Sequence, residues 1–180
     1  MISRQHRFIA PVLFLLLFLF LPTAFFLTTA KSASAGEALD IVLDLGKRPT
    51  PTFYLYSKCD GVVIYQENNS WGYGCRSLLA KGKASGTKYE IKRLERNWKH
   101  NAPATKILNT NHGLETEFDL CDGTWYCLPK LQNKDAKDLE LRPVFEITKK
   151  DAAVAKTWSG KIIGRSIDFS IDCPEKLNQY

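Results

Sequence analysis

Over residues 139–148 the chain carries its longest alternating pattern: Leu139, Leu141, Pro143, Phe145 and Ile147 are set against Glu140, Arg142, Val144, Glu146 and Thr148. Period two is the side-chain period of a β-strand, and a helix cannot gather such a run on one face. A strand this long must be paired and must bury one side, so the chain is committed to a sheet with a core against it. Pro143 has no N–H to give to a ladder, which predicts an edge or a bulge at that point.

The same pattern recurs in shorter pieces. Ile41, Leu43 and Leu45 alternate with Val42 and Asp44. A Pro49-Thr50-Pro51 joint separates them from an apolar run at 53–56, and the turn signal Asp60-Gly61 leads into another at 62–65. Leu114, Thr116, Phe118 and Leu120 face away from Glu115, Glu117 and Asp119. Asp122-Gly123 beside Trp125-Tyr126 reads as a hairpin signal, and Ile167, Phe169 and Ile171 form the last strand pattern. Asn68-Asn69-Ser70, with Gly72 and Gly74 after it, marks a loop and fits a glycosylation acceptor in a eukaryotic host. Residues 132–138 read as a charged loop, and 151–156 as one or two helical turns. Many short strands with regular turn signals predict an all-β domain, an antiparallel barrel or sandwich.

The N-terminus sets the compartment. Arg4, His6 and Arg7 lead into a 20-residue apolar run over 8–27, and a small-residue stretch ends in Ala33-Ser34-Ala35 before Gly36. A basic start, an apolar centre and an A-x-A site describe a secretory signal, cleaved after residue 35. The alternative is an uncleaved N-terminal anchor, since the run is long enough to span a bilayer. The expectation is a signal peptide over 1–35 and one β-rich domain over 36–180, secreted or periplasmic. Membrane association is expected only if the segment stays on. Cleavage removes Arg4, Arg7, Lys31 and no acid, lowering the formal net charge from +6 to +3. That mild balance does not argue for a nucleic-acid partner.

All five cysteines, Cys59, Cys75, Cys121, Cys127 and Cys173, lie in the exported part and are disulfide candidates. An odd count predicts two bridges and one leftover thiol, with the pairing open. No C-x-x-C or H-x-x-x-H spacing occurs, so neither a metal nor a cofactor is expected. Trp71-Gly72-Tyr73-Gly74-Cys75 invites a catalytic-thiol reading, but no thiol-enzyme signature surrounds it and Cys75 reads better as a half-cystine. Residues 79–99 are dense in base, with Lys81, Lys83, Lys88, Lys92, Arg93, Arg96 and Lys99 against Glu90 and Glu95. They read as an exposed strand face or as a surface for an anionic partner.

Within that stretch, Ala84-Ser85-Gly86-Thr87-Lys88-Tyr89 resembles the A-S-G-x-K/R-Y element of the periplasmic and membrane-bound inhibitors of c-type lysozyme. Cys59-Asp60-Gly61 before a Val-rich strand, and Trp98 with Ala104 six residues on, add to the likeness, which covers 53–121. The resemblance implies a small antiparallel barrel closed by a Cys59–Cys121 bridge. It also implies that the Ser85 loop enters the lysozyme cleft, where Ser85 and a nearby lysine, Lys99, meet the catalytic carboxylates, while Tyr89 packs beneath the loop. The chain departs from the family pattern at His100 and Asn101, which stand where a Lys and a Gly are usual, and in Cys75, Cys127 and Cys173.

The expected function is therefore a non-catalytic exported binding protein, with Ser85, Tyr89 and Lys99 meeting a protein partner, lysozyme in the most concrete form. The alternative is a cell-surface structural or adhesion module that holds wall polymer or a protein through exposed aromatics such as Trp71, Tyr73 and Trp125. A thiol-dependent enzyme would require a free Cys75 with a stabilised thiolate.

Overall fold

In the computed structural model, residues 38–45, 50–98, 102–110 and 112–179 are described. The proposed signal segment and Lys99 lie outside them. All described residues fall within one compact unit.

The alternating run forms β9 (Leu139–Ile147), with Leu139, Leu141, Phe145 and Ile147 at most 2% exposed. Each such side chain contributes about 1.5–3 kcal/mol by leaving water. β9 organises a six-stranded antiparallel sheet with β4 (Arg76–Gly82), β5 (Lys88–Arg93), β8 (Trp125–Leu128), β10 (Gly160–Ile163) and β11 (Ile167–Phe169). β4, β5 and β8 follow in order on one side of β9. On its other side, β10 pairs with 144–147 and β11 with 139–141.

Pro143 is therefore in a central strand, so of the edge or bulge that its missing N–H suggested the edge is excluded. It sits in the gap between β10 and β11, where no ladder donor is required. Its carbonyl accepts from Gly164 N at 2.8 Å in the connector between those strands.

A three-stranded antiparallel sheet, β1 (Leu39–Asp44), β2 (Thr52–Ser57) and β7 (Gly113–Glu117), packs on the first through a shared core. Phe118 links the layers, with its ring 4.5 Å from Phe53 and 5.7 Å from Trp125. β3 (Val62–Tyr65) and β6 (Thr105–Leu108) form a separate ribbon. The fold is thus mostly β and antiparallel, as expected, but none of these sheets closes into a barrel. Neither Asp-Gly signal makes a hairpin: β2 and β3 lie in different sheets, as do β7 and β8.

Among the described residues lie the short helices α1 (Ser70–Tyr73), α2 (Asn133–Ala136), α3 (Lys149–Ala155) and α4 (Pro174–Leu177). Thr148 caps α3, its Oγ1 accepting from Asp151 N at 3.1 Å. α2 replaces the charged loop expected at 132–138. Among the described residues, no helix is long and apolar enough to cross a membrane.

The disulfide runs from Cys121 to Cys173. α4 packs on β8 and carries Cys173 to the β7–β8 connection, where Cys121 lies. This overturns the implied Cys59–Cys121 bridge. It also overturns the count of two bridges, because Cys59, Cys75 and Cys127 are free.

Candidate functional site

β4 and β5 form a hairpin whose loop carries the Ser85 motif. Gly86 turns at φ +73°, a conformation that suits glycine. Across the loop base, Gly82 N donates to Thr87 O at 2.9 Å, and Gly86 N donates to Gly82 O at 2.7 Å.

The loop is anchored from outside the hairpin by Asp135 of α2, which is fully buried. Ser85 N donates to Asp135 Oδ1 at 3.0 Å, while Ser85 Oγ and Tyr89 Oη each donate to Oδ2 at 2.5 Å. Ser85 Oγ in turn accepts from Thr87 N at 2.9 Å. The carboxylate lies directly over the Cα of Gly82, where any side chain would collide with it. Hydrogen bonds from Ser85 and then Tyr89 hold the Asp135 carboxyl below its ordinary value. Burial, reinforced by Asp135, pushes the Tyr89 phenol up.

Ser85 and Tyr89 are thus brought together at Asp135, with Tyr89 buried. The Ser85 hydroxyl, however, spends its proton on Asp135. It positions the loop and is not a free donor for a partner. Asp135 itself was missed by sequence reasoning, because a single turn of helix has no period to mark its buried side.

Beyond Ser85, Lys81 and Lys88 are exposed and stand directly opposite each other across the hairpin. Lys83 bridges Asp138 and Asp168, and Lys92 pairs with Glu90, whereas Lys81 and Lys88 have no ion pair among the described residues.

The aromatics proposed for an adhesive surface are not exposed. Trp125 is 1% and Tyr73 8% exposed, and Trp71 is half-buried against Tyr65. Trp125 belongs to the core cluster and Trp71 packs against it, while the Tyr73 ring is covered by Arg93, Arg96 and Trp98. Cys75 is free but buried, donating its thiol to Trp71 O at 3.1 Å. Burial pushes the thiols of Cys75 and Cys127 up to about 12, the wrong direction for a nucleophile. Among the described residues, no group of three or more His, Cys, Asp or Glu is placed to hold a metal.

Compared with family models, characterised proteins and solved structures, the chain matches none.

Proposed function

We propose that the chain is an exported, non-catalytic binding protein that presents the β4–β5 hairpin to an acidic cleft, and that c-type lysozyme is its partner. The observation that carries this reading is the Lys81–Lys88 pair. Like charges directly opposite across strands are unfavourable, and here both ammonium groups lack a counter-ion within the described fold. A carboxylate-lined cleft would supply one through charge-assisted hydrogen bonds. The Asp135 anchor supports the same reading, since a loop already held in one shape loses little entropy on docking. Two thiols held protonated argue against nucleophilic chemistry, and a disulfide suits an oxidising compartment. In this reading Ser85 and Tyr89 position the loop, Lys81 and Lys88 touch the partner, and Lys99 adds charge.

The test is a cell-wall lysis assay with several c-type lysozymes and the full chain. Inhibition is expected. The Lys81→Ala/Lys88→Ala double change should weaken it at least tenfold with Tm unchanged or slightly raised, while Ser85→Ala should lower both inhibition and Tm. A folded chain with the Cys121–Cys173 bridge intact that leaves every lysozyme uninhibited would overturn the proposal.

A further inference from the structure

At the far end of β5 from the loop, the chain collects a second polar cluster inside the core. Arg76 on β4 and Arg93 at the end of β5 both point to the inner face, in phase with Leu78 and Ile91. The Arg76 side chain is 2% exposed and that of Arg93 is 11% exposed. Glu67 joins them, its Oε1 lying 2.6 Å from Arg76 Nη1 and 3.3 Å from Arg93 Nη2. Its other oxygen accepts from Thr116 Oγ1 at 2.6 Å. The Arg93 guanidinium stacks 4.6 Å from the Tyr73 ring and 5.0 Å from the Trp125 ring. Arg96, which is exposed, lies 4.9 Å from the same Tyr73 ring, and Trp98 meets that ring edge-on at 5.6 Å.

Acceptors are short here. Two buried guanidiniums share one carboxylate, leaving a surplus of one positive charge in the core, and the exposed Arg96 adds another at its rim. Among the described residues, the donors Arg76 Nε, Arg93 Nε and Trp125 Nε1 and the hydroxyl Tyr73 Oη are buried without a hydrogen-bond partner, and Glu67 Oε1, though ion-paired, is likewise without one. Native interiors rarely leave so many polar atoms orphaned within one cluster, and buried charge is normally matched. The aromatic rings hold the guanidiniums through their faces but accept no N–H in plane.

We infer that this cluster is an oxyanion-binding site for a phosphate or sulfate group, entered past Arg96 and Trp98 and held by Arg93 and Arg96. Tetrahedral oxyanions suit it because a guanidinium edge offers two parallel donors to two oxygens. Arg76 and Glu67 fix Arg93 from behind and are positioning residues. The group can be a free ion or the head of a larger molecule. The site is separate from the Lys81–Lys88 hairpin and stands whether or not that hairpin docks on lysozyme.

The experiment titrates the full chain with sodium phosphate, sodium sulfate and an alkyl phosphomonoester, each against sodium chloride at matched ionic strength, following tryptophan fluorescence and Tm. Saturable binding with Kd at or below about 1 mM is expected, with a Tm that rises with ligand concentration. Tighter binding of the monoester than of phosphate identifies the larger molecule as the source; equal binding identifies the free ion. Arg96→Gln, at an exposed position, should weaken binding at least tenfold while Tm in chloride stays the same. Lys81→Ala/Lys88→Ala should leave it untouched. A response no greater than that to chloride, or an Arg96→Gln chain that binds as well as the parent, overturns the inference.

Discussion

The two polar clusters of this chain are built from opposite ratios. Around Asp135, one buried carboxylate receives donors from Ser85 N, Ser85 Oγ and Tyr89 Oη. Around Glu67, one carboxylate must serve Arg76 and Arg93, with Thr116 taking its second oxygen. The first cluster is closed on itself and fixes a loop. The second is left with surplus charge and unpaired donors. A buried group that completes its own network contributes rigidity, whereas one that cannot creates a place for something else.

The sharpest way to break the comparison is to remove the closed centre. Asp135→Ala strands three donors beneath the loop and opens a space over Gly82. A fall in Tm of about 15 °C is expected by calorimetry, together with loss of any lysozyme inhibition. Glu67→Gln should come next. It keeps the shape but leaves two buried guanidiniums without a counter-charge, at a cost of roughly 3 kcal/mol in urea unfolding. The two variants should then part company: millimolar phosphate should recover part of the Glu67→Gln loss and none of the Asp135→Ala loss. Equal recovery, or none in either, would erase the distinction drawn between the clusters.

How much of this was legible in the sequence depends on period. β9, β1 and the 114–120 segment announce themselves by alternation, and most of the residues it selects are buried, but Leu45 is exposed, Leu114 and Thr116 are half-buried, and Val144 on the other face of β9 is buried as well. The inner arginines were legible on the same ground. Arg76 is in phase with Leu78 and Ala80, and Arg93 with Tyr89 and Ile91, yet the density of base around them reads as a solvated face. Pairing was not legible. Asp60-Gly61 and Asp122-Gly123 turn the chain locally, but which strand becomes the neighbour is decided by long-range packing, and both turns pass between sheets. Asp135 lies in one helical turn among Lys134, Lys137 and Asp138, where no spacing separates the buried acid from the exposed ions. The Ser85 motif was visible, but its partner is supplied 50 residues away.

Acid should probe the closed cluster with a smaller effect. The Asp135 carboxyl titrates lower in the folded chain than its ordinary value of 3.8. A depressed carboxyl contributes stability that is fully present above its unfolded pKa and is lost as pH falls through the folded one. Tm should therefore hold down to about pH 4 for this group and decline below it. Other carboxylates titrate in the same range, so the measurement is the difference between the parent and Asp135→Asn: the variant's Tm should change less between pH 5 and pH 2. A parallel decline in both would show that Asp135 is not held by its donors.

The finest test asks whether those donors act as one unit. Tyr89→Phe removes one hydrogen bond to a charged acceptor and should cost about 1.5 kcal/mol, and Ser85→Ala a similar amount. Because both hydroxyls meet the same Asp135 oxygen, the losses should not add. With one donor gone the other can shorten and the carboxylate can shift toward it, so the double variant should differ from the sum by about 0.5–1 kcal/mol. Run in an Asp135→Asn background, the coupling should shrink toward zero, since the shared charge that links the two hydroxyls is gone. Additivity in the parent would mean that Ser85 and Tyr89 are fixed independently, by the Gly86 turn and by core packing. The hairpin would then owe its rigidity to its own backbone and not to the acid beneath it.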